Sequence, residues 1–335
     1  MYQAVKVKLK LEESQVEFFE QHAGASRWLY NQALAQQKDY YNETGKFLSY
    51  NKLANSLPII KNIPEYSWLK NIVSTSLQFT LKNLDTAFSN FFNSLKGNRK
   101  GRNVGFPKFK SKRKCKASFT IISNSDDIRV QDNQLRIPKL GFVKVWSGTK
   151  NLSRIKKWEH IKSVTFSRDS DNNWYASILI EKDDYIKYPS TGITSGIDLG
   201  LKNSVIFNNG AVFNIPEKIE YLEKKIVKLN RSLHRKVKDS SNRDQARIKL
   251  GRCYFRIKKL RENFQHQLSH LIAKHTDIVT TETLDIQQMM SKKQFSKAVG
   301  RQGWYQFITF IKYKLEQSGK VLIQVDKTFP SSKLC

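Results

Sequence analysis

Residues 193–214 read ITSGIDLGLKNSVIFNNGAVFN, and this stretch decides how the second half of the chain is organised. Ile193, Ile197, Val205, Ile206 and Phe207 are the branched and aromatic side chains of a buried sheet, and Asn209-Gly210 predicts a type I′ turn joining two strands of a hairpin. One residue does not suit that setting. Asp198 lies inside the first strand, where an unpaired carboxylate is costly if desolvated, so something must compensate it.

A second acid is placed in the same way. Within HTDIVTTETLDIQQMM (275–290), Ile278 and Val279 belong to a predicted strand over 277–281, and Glu282 stands where that strand leaves the sheet. In α/β architectures functional groups gather at strand ends. Two carboxylates from distant segments repel each other unless a cation lies between them. A pair of Mg²⁺ ions would cancel the repulsion and supply chemistry, one activating water and the other stabilising the leaving oxygen of a phosphodiester. On spacing alone, a local ion pair with a nearby Lys or Arg is the default reading for either acid taken singly.

Such cations are abundant. The 335 residues carry 59 Lys and Arg against 29 Asp and Glu, a formal net charge of +30, which points to a large polyanion as partner. No apolar run approaches the roughly 18 residues of a membrane span, and MYQAVKVKLKLEE alternates where a signal peptide would be continuously apolar, so a cytoplasmic protein without a membrane partner is expected. Cys115, Cys253 and Cys335 are too scattered for a disulfide framework. The chain has no P-loop and no GxSxG; His266 and His270, one helical turn apart, lack the Glu of a zinc-protease helix and are expected to cap or line the core.

Along the chain, Val5, Val7, Leu9 and Leu11 alternate with Lys6, Lys8 and Lys10 as a strand with a basic outer face. Residues 14–42 predict a helix, a turn-rich stretch follows with Pro58 and Pro64, and 73–95 predict a second helix with Leu77, Leu81, Leu84, Phe88 and Leu95 on its apolar face. GNRKGRNVGFPKFKSKRKCK (97–116) then holds nine cations and no acid, including Arg99, Lys100, Arg102, Lys108, Lys110, Lys112, Arg113 and Lys114. A run of charge is often a solvated linker; Phe106, Pro107 and Phe109 set within it favour a loop that tracks phosphates and stacks on bases. Residues 118–182 read as short strands, a small β-barrel completed by the N-terminal strand with the helices inserted into it. KDDYIKYPSTG (182–192) reads as a linker. Beyond the opening hairpin come helices 217–238 and 243–275, expected to pair as an antiparallel coiled coil, then the strand at 277–281, a helix 302–318 and a strand 320–326. Between 217 and 261 there are 16 Lys or Arg against five acids, a second basic surface.

SGIDLGLKNSVIF, IVTTETLDIQQM, GFPKFKSKRK, LQFTLKNLDTAF and VDKTFPSSKLC together resemble the TnpB family, the RNA-guided nucleases of insertion sequences and apparent relatives of type V CRISPR effectors. The resemblance implies an α/β and β multidomain protein. Residues 1–12 and 97–185 would form a wedge-like β-barrel, 13–96 an inserted helical recognition lobe, 186–192 a linker, and 193–335 a RuvC-like nuclease domain of RNase H fold with an inserted helical hairpin. Asp198 and Glu282 fall on the family's first two catalytic acids and would bind one or two Mg²⁺ ions. The basic loop and the basic hairpin would hold guide RNA and the RNA–DNA heteroduplex by their phosphates, leaving sequence choice to base pairing. Tyr50 in LSYNKL and Gln78 in LQFTLKNL would read a short motif beside the double-stranded DNA target, since Gln pairs bidentately with adenine and Tyr stacks or donates a hydrogen bond; an ordinary helix-surface role remains open for both.

Family members continue past FPSSKLC into the second half of a CxxC zinc ribbon and a helix bearing a third catalytic Asp. This chain ends at Cys335, so the nuclease domain is expected to be incomplete, zinc is not expected, and Asp326 matches no third-acid motif. The expected function is therefore an RNA-guided DNA-binding protein impaired in cleavage, in a prokaryotic cytoplasm and nucleoid-associated when on DNA. The alternatives are an active Mg²⁺-dependent endonuclease whose last segment lies outside this chain, and a guide-independent DNA-binding protein that grips duplex ends through helices 14–42. A ribosome-associated basic protein fits the charge alone.

Overall fold

The computed structural model describes residues 2–99, 102–124, 127–146, 160–181 and 187–326, in two compact units, 1–183 and 184–335. The first unit contains strands β1 (Tyr2–Lys10), β2 (Ser118–Ile122), β3 (Arg129–Gln131), β4 (Gln134–Ile137), β5 (Gly141–Val145), β6 (Ile161–Arg168) and β7 (Trp174–Glu181). They form one antiparallel sheet in the order β2-β6-β7-β1-β5-β4-β3. β1 is the hinge of this order: Tyr2 to Lys8 pair with β7, and Leu9 and Lys10 pair with β5. Val7, Leu135, Val143, Phe166 and Ile178 belong to a single buried cluster, so the two halves of the sheet fold over a common core. Among the described residues no ladder joins β2 to β3, and these residues do not show the sheet closing into a barrel.

Between β1 and β2 lie α1 (Glu13–Thr44), α2 (Tyr50–Asn62), a 3₁₀ helix (Pro64–Asn71) and α3 (Ser74–Leu95). α1 serves two cores. Phe19 packs edge-on against Phe119, Phe166 and Trp174 of the sheet, at centroid distances of 5.5, 5.0 and 5.2 Å. From Ala25 to Leu34 the same helix enters a second cluster with Leu57, Leu69, Leu77 and Leu84. The stretch expected to be turn-rich is helical: Ser49 Oγ accepts from the Lys52 N–H, Leu53 and Leu57 are buried, and Pro64 takes the first turn of the 3₁₀ helix, where its missing N–H is harmless. Pro58 sits inside α2, and the buried Leu pair outweighs its cost.

His22 ties α1 to the start of α3. Its Nδ1–H donates to the Phe18 carbonyl at 2.8 Å, and its Nε2 accepts the Val73 N–H at 3.1 Å. A carbonyl only accepts and an N–H only donates, which fixes the neutral tautomer. Burial drives the imidazole down to about 4.

The second unit contains β8 (Thr194–Asp198), β9 (Val205–Phe207), β10 (Val212–Phe213), α4 (Lys218–His234), α5 (Ser241–His275), β11 (Ile278–Glu282), α6 (Ile286–Ser291), α7 (Lys293–Gln302), α8 (Trp304–Gln317) and β12 (Val321–Val325). The sheet order is β10-β9-β8-β11-β12, with β8, β11 and β12 parallel and β9 antiparallel to its neighbours. Ile197 and Val279, with Leu322, pack into a cluster with Leu268 and Ile272 of α5 and Phe307, Ile311 and Leu315 of α8, which covers one face.

The hairpin predicted at 205–213 forms, with a different turn. Asn209 is not at positive φ, as a type I′ turn requires; Gly210, at φ 81°, follows a turn closed by its N–H to the Phe207 carbonyl at 2.9 Å. The paired helices α4 and α5 are antiparallel, with Ile226, Leu250 and Cys253 at their seam. Arg243 closes their loop by donating to the Leu233 and Lys236 carbonyls at 3.2 and 2.8 Å. Helices α6 and α7 were not expected. Asp285 caps the first, and Gly303, at φ 64°, ends the second.

Residues 182–186 of the expected linker lie outside the described residues, and 187–192 are fastened down. Asp277 accepts from Ser190 Oγ at 2.6 Å and from the Thr191 and Gly192 N–H groups at 2.8 and 2.7 Å, and Lys320 lies 3.0 Å away. The Ser190 hydroxyl is first among the contacts that hold this carboxyl well below the usual range. Among the described residues no helix is long and apolar enough to cross a membrane.

Candidate active site and nucleic-acid interface

Asp198 and Glu282 are the last residues of two adjacent parallel strands. The β8–β11 ladder pairs Thr280 with Gly196 and Thr281 with Ile197, and its next step sets Glu282 opposite Asp198. Adjacent strands lie about 4.8 Å apart and side chains alternate between faces, so the two acids share one face. Ile197, Val279 and Thr281 are buried on the other, which turns the acids away from α5 and α8.

Asp198 is exposed, so the desolvation cost that the strand pattern suggested is not incurred. Among the described residues its carboxylate has no hydrogen bond or ion pair, and the local salt bridge open to it on spacing alone does not form. Glu282 is half-buried. Glu282 is also in register with Val325, so Asp326 comes one step later, where strand alternation turns it from the face of the pair. Among the described residues no group of three or more His, Cys, Asp or Glu side chains could hold a metal ion. Two carboxylates without sulfur or imidazole suit a hard, largely hydrated cation such as Mg²⁺ and not a structural zinc.

The turn after Asp198 is built to reverse tightly. Ser204 N–H donates to Asn214 Oδ1 at 2.9 Å, and the Ile215 N–H donates to Ser204 Oγ at 3.1 Å, which closes the base of the β9–β10 hairpin.

Arg99, Arg102, Lys108, Lys112, Arg113 and Lys114 are described and, among the described residues, lack a carboxylate partner; Lys100 lies outside them. Lys110 differs. Its backbone exchanges hydrogen bonds with the Asn31 amide at 2.8 and 2.9 Å, and its ammonium sits 3.7 Å from the Tyr30 ring centroid. Burial lowers the Lys110 pKa. Phe106 packs edge-on against Phe88 and Phe91, both at 5.4 Å, and Pro107 is buried. These residues anchor the loop to α1 and α3. Phe109 stays exposed, with Lys38 over its ring at 4.6 Å.

On the α4–α5 hairpin, Lys228, Arg231, Arg235, Lys249, Arg252 and Arg256 likewise have no carboxylate partner among the described residues. Tyr50 opens α2 and packs against the helical core, whereas Gln78 is exposed in the second turn of α3. His266 and His270 do not line the core: both are exposed, His266 stacked on Phe310 at 3.9 Å and His270 Nδ1 2.6 Å from the Tyr188 hydroxyl.

Residues 177–293 match the IS605 OrfB family, described as a probable transposase, and residues 1–46 match the associated helix-turn-helix domain. In the structure that second stretch holds a strand and one unbroken helix, without a turn between two helices. A "Putative RNA-guided DNA endonuclease" of Streptomyces pristinaespiralis is 29% identical over 315 residues, covering 93% of this chain and 74% of the relative. "Putative RNA-guided DNA endonuclease InsQ" of Escherichia coli K12 is 27% identical over 346 residues, covering 99% and 82%. The chain is similar in fold to Cas12f1 from a complex with sgRNA and target DNA, at a TM-score of 0.51 and 15% identity over 94% of this chain and 74% of that one. The quoted motifs, the two matched models and these near full-length relatives agree: the chain belongs to the TnpB family of insertion-sequence proteins.

Proposed function

We propose that this chain binds a guide RNA, uses it to recognise duplex DNA beside a short motif, and carries a Mg²⁺-dependent phosphodiesterase centre at Asp198 and Glu282. The observation that carries the reading is the register of β8 and β11, which sets two carboxylates side by side at the open ends of parallel strands. The order β10-β9-β8-β11-β12, with β9 reversed, is the strand order of an RNase H-type sheet and supports a RuvC-like domain over 193–335. Residues 1–12 and 97–185 then serve as the wedge domain, and 13–96 as the recognition lobe, with Tyr50 and Gln78 reading the adjacent motif.

Asp198 and Glu282 would hold the ion, which when bound supplies a polarised water and neutralises charge on the departing oxygen. The cations of the loop at 99–114 bind phosphates without reading sequence, which suits a protein that leaves sequence choice to base pairing. Sequencing the RNA that copurifies with the chain, then measuring binding to matched and unmatched duplexes before and after ribonuclease, tests the reading. Binding confined to matched duplex and abolished by ribonuclease is expected. Duplex binding indifferent to ribonuclease would replace it with guide-independent recognition, and absence of Mg²⁺-dependent nicking on a matched target would confine the protein to binding.

A further inference from the structure

A lysine amine attacks an electrophile only in its neutral form, so a lysine whose surroundings disfavour charge stands apart in a chain so rich in cations. Lys314 on α8 has such surroundings. Its Nζ donates to the His266 carbonyl at 2.7 Å and to the Ser269 hydroxyl oxygen at 2.6 Å, both on α5. Ser269 can only accept here, because its own proton is taken up by the carbonyls of Gln265 and His266, at 2.6 and 3.2 Å. Two uncharged acceptors therefore meet an ammonium that has three protons to give, and among the described residues no carboxylate faces it. A neutral amine fits the site fully: its two protons take the two acceptors, and its lone pair points away from both.

Burial adds to that asymmetry. Lys314 is half-buried, which lowers its pKa to about 8. The titratable groups on the elements that meet here are His266 and His270 of α5, Tyr313 of α8 and Tyr188 of the segment 187–192; burial raises both tyrosines, so neither supplies an anion near neutral pH. Other buried lysines lack the combination. Lys320 is more deeply placed but lies 3.0 Å from Asp277, and Lys110 sits against the Tyr30 ring, an arrangement that favours the cation.

We propose that Lys314 is a site of acyl modification, taking the acyl group of an acyl phosphate or an acyl thioester. The neutral amine attacks the acyl carbon, and an N–C bond forms as the bond from that carbon to the phosphate oxygen or thiol sulfur breaks. The leaving group departs with the electron pair, and the surplus amine proton passes to water. The product amide keeps one N–H for two acceptors, so either the His266 carbonyl or the fully buried Ser269 loses its donor. Acylation thus loosens α8 from α5, the helix pair that covers one face of the sheet bearing Asp198 and Glu282.

The test is mass spectrometry of the full chain after incubation with acetyl phosphate, with acetyl-coenzyme A in a parallel arm, in native buffer and in urea. Label should appear at Lys314 about tenfold faster than at Lys312, which is exposed two residues earlier on α8. The preference should vanish in urea, because the fold and not the local sequence creates it. The rate at Lys314 should level off as pH passes about 8. Label from one arm alone identifies the leaving group as phosphate or thiolate, and label from both shows that Lys314 accepts either donor. Acetylated protein should melt about 2–4 °C below native protein. Lys314→Arg keeps the charge, and should take no label there and show no such fall after the same treatment. Labelling of Lys314 no faster than Lys312 in either arm overturns the inference, as does a preference that persists in urea. A label at Lys314 that leaves the melting temperature where it was overturns the coupling to α5.

Discussion

Gly200 and Asn203 leave no room for a side chain between them: a Cβ on Gly200 would stand 2.6 Å from the Asn203 carbonyl oxygen. That approach closes the turn immediately after Asp198. Gly200→Ala must displace backbone, at a cost of about 1–3 kcal/mol. Its melting temperature should fall and divalent-dependent cleavage should fall with it. Gly196→Ala is the control: its Cβ would meet Thr280 Oγ1 at 3.5 Å and Asn208 Cβ at 3.7 Å, ordinary contact distances, so the fold should accept it.

Asp198→Asn should separate chemistry from stability. The carboxylate is exposed, has no partner among the described residues and faces Glu282, so its removal relieves repulsion of up to about 1 kcal/mol. Without divalent ions the melting temperature should hold or rise. In Mg²⁺ the native protein should gain stability and the variant should not, and guide-dependent DNA binding should be equal in the two. A drop in stability in metal-free buffer would show that Asp198 has a structural partner.

The basic loop contains two kinds of cation. Neutralising Lys108, Lys112, Arg113 and Lys114 together should lower the salt slope of RNA binding by about three and leave the melting temperature unchanged. Lys110 is clamped by Asn31 and Tyr30, so Asn31→Ala should weaken RNA binding by freeing the loop, with little change in slope. An unchanged slope in the quadruple variant would place the loop in solvent.

His22 should make the first unit acid-sensitive. The fold holds the neutral imidazole, whose pKa falls from 6.5 to about 4. Its contribution is therefore complete above pH 6.5 and is lost as pH falls toward 4. The integrated effect is about 3 kcal/mol. His22→Leu should lower stability at pH 7, since the Val73 N–H loses its acceptor, and should flatten the pH dependence between 6.5 and 4 relative to native protein. Parallel curves for the two proteins would exclude His22 as the titrating group.

Much of this was legible in the chain. Period-two alternation over Val5, Val7 and Leu9 located β1, the apolar stripe from Leu77 to Phe88 located α3, and both acids were found because a carboxylate among β-branched residues contradicts its surroundings. These are local signals, carried by side chains near one another in sequence. Pro58 reads as a breaker and hides α2; α6 and α7 are hidden because their apolar stripe is short and their boundary signals, Asp285 at the start of the first and Gly303 at the end of the second, are single residues. The NG turn type was missed because the strands it joins, and not the dipeptide alone, select the backbone geometry.

What the sequence by itself determined is composition and periodicity: a basic chain, a strand that contains Asp198, another that Glu282 follows, and a loop dense in cations. Only the tertiary structure decided that β8 and β11 are neighbours in a register that sets those acids opposite each other, and that Lys10 meets Lys144 across a ladder. Register is a property of pairs of strands 84 and 134 residues apart at those positions, and no local pattern encodes which strands meet. It follows from burying Ile197, Val279 and Val145 together with their own cores, and the exposed charges are carried along to wherever that burial places them.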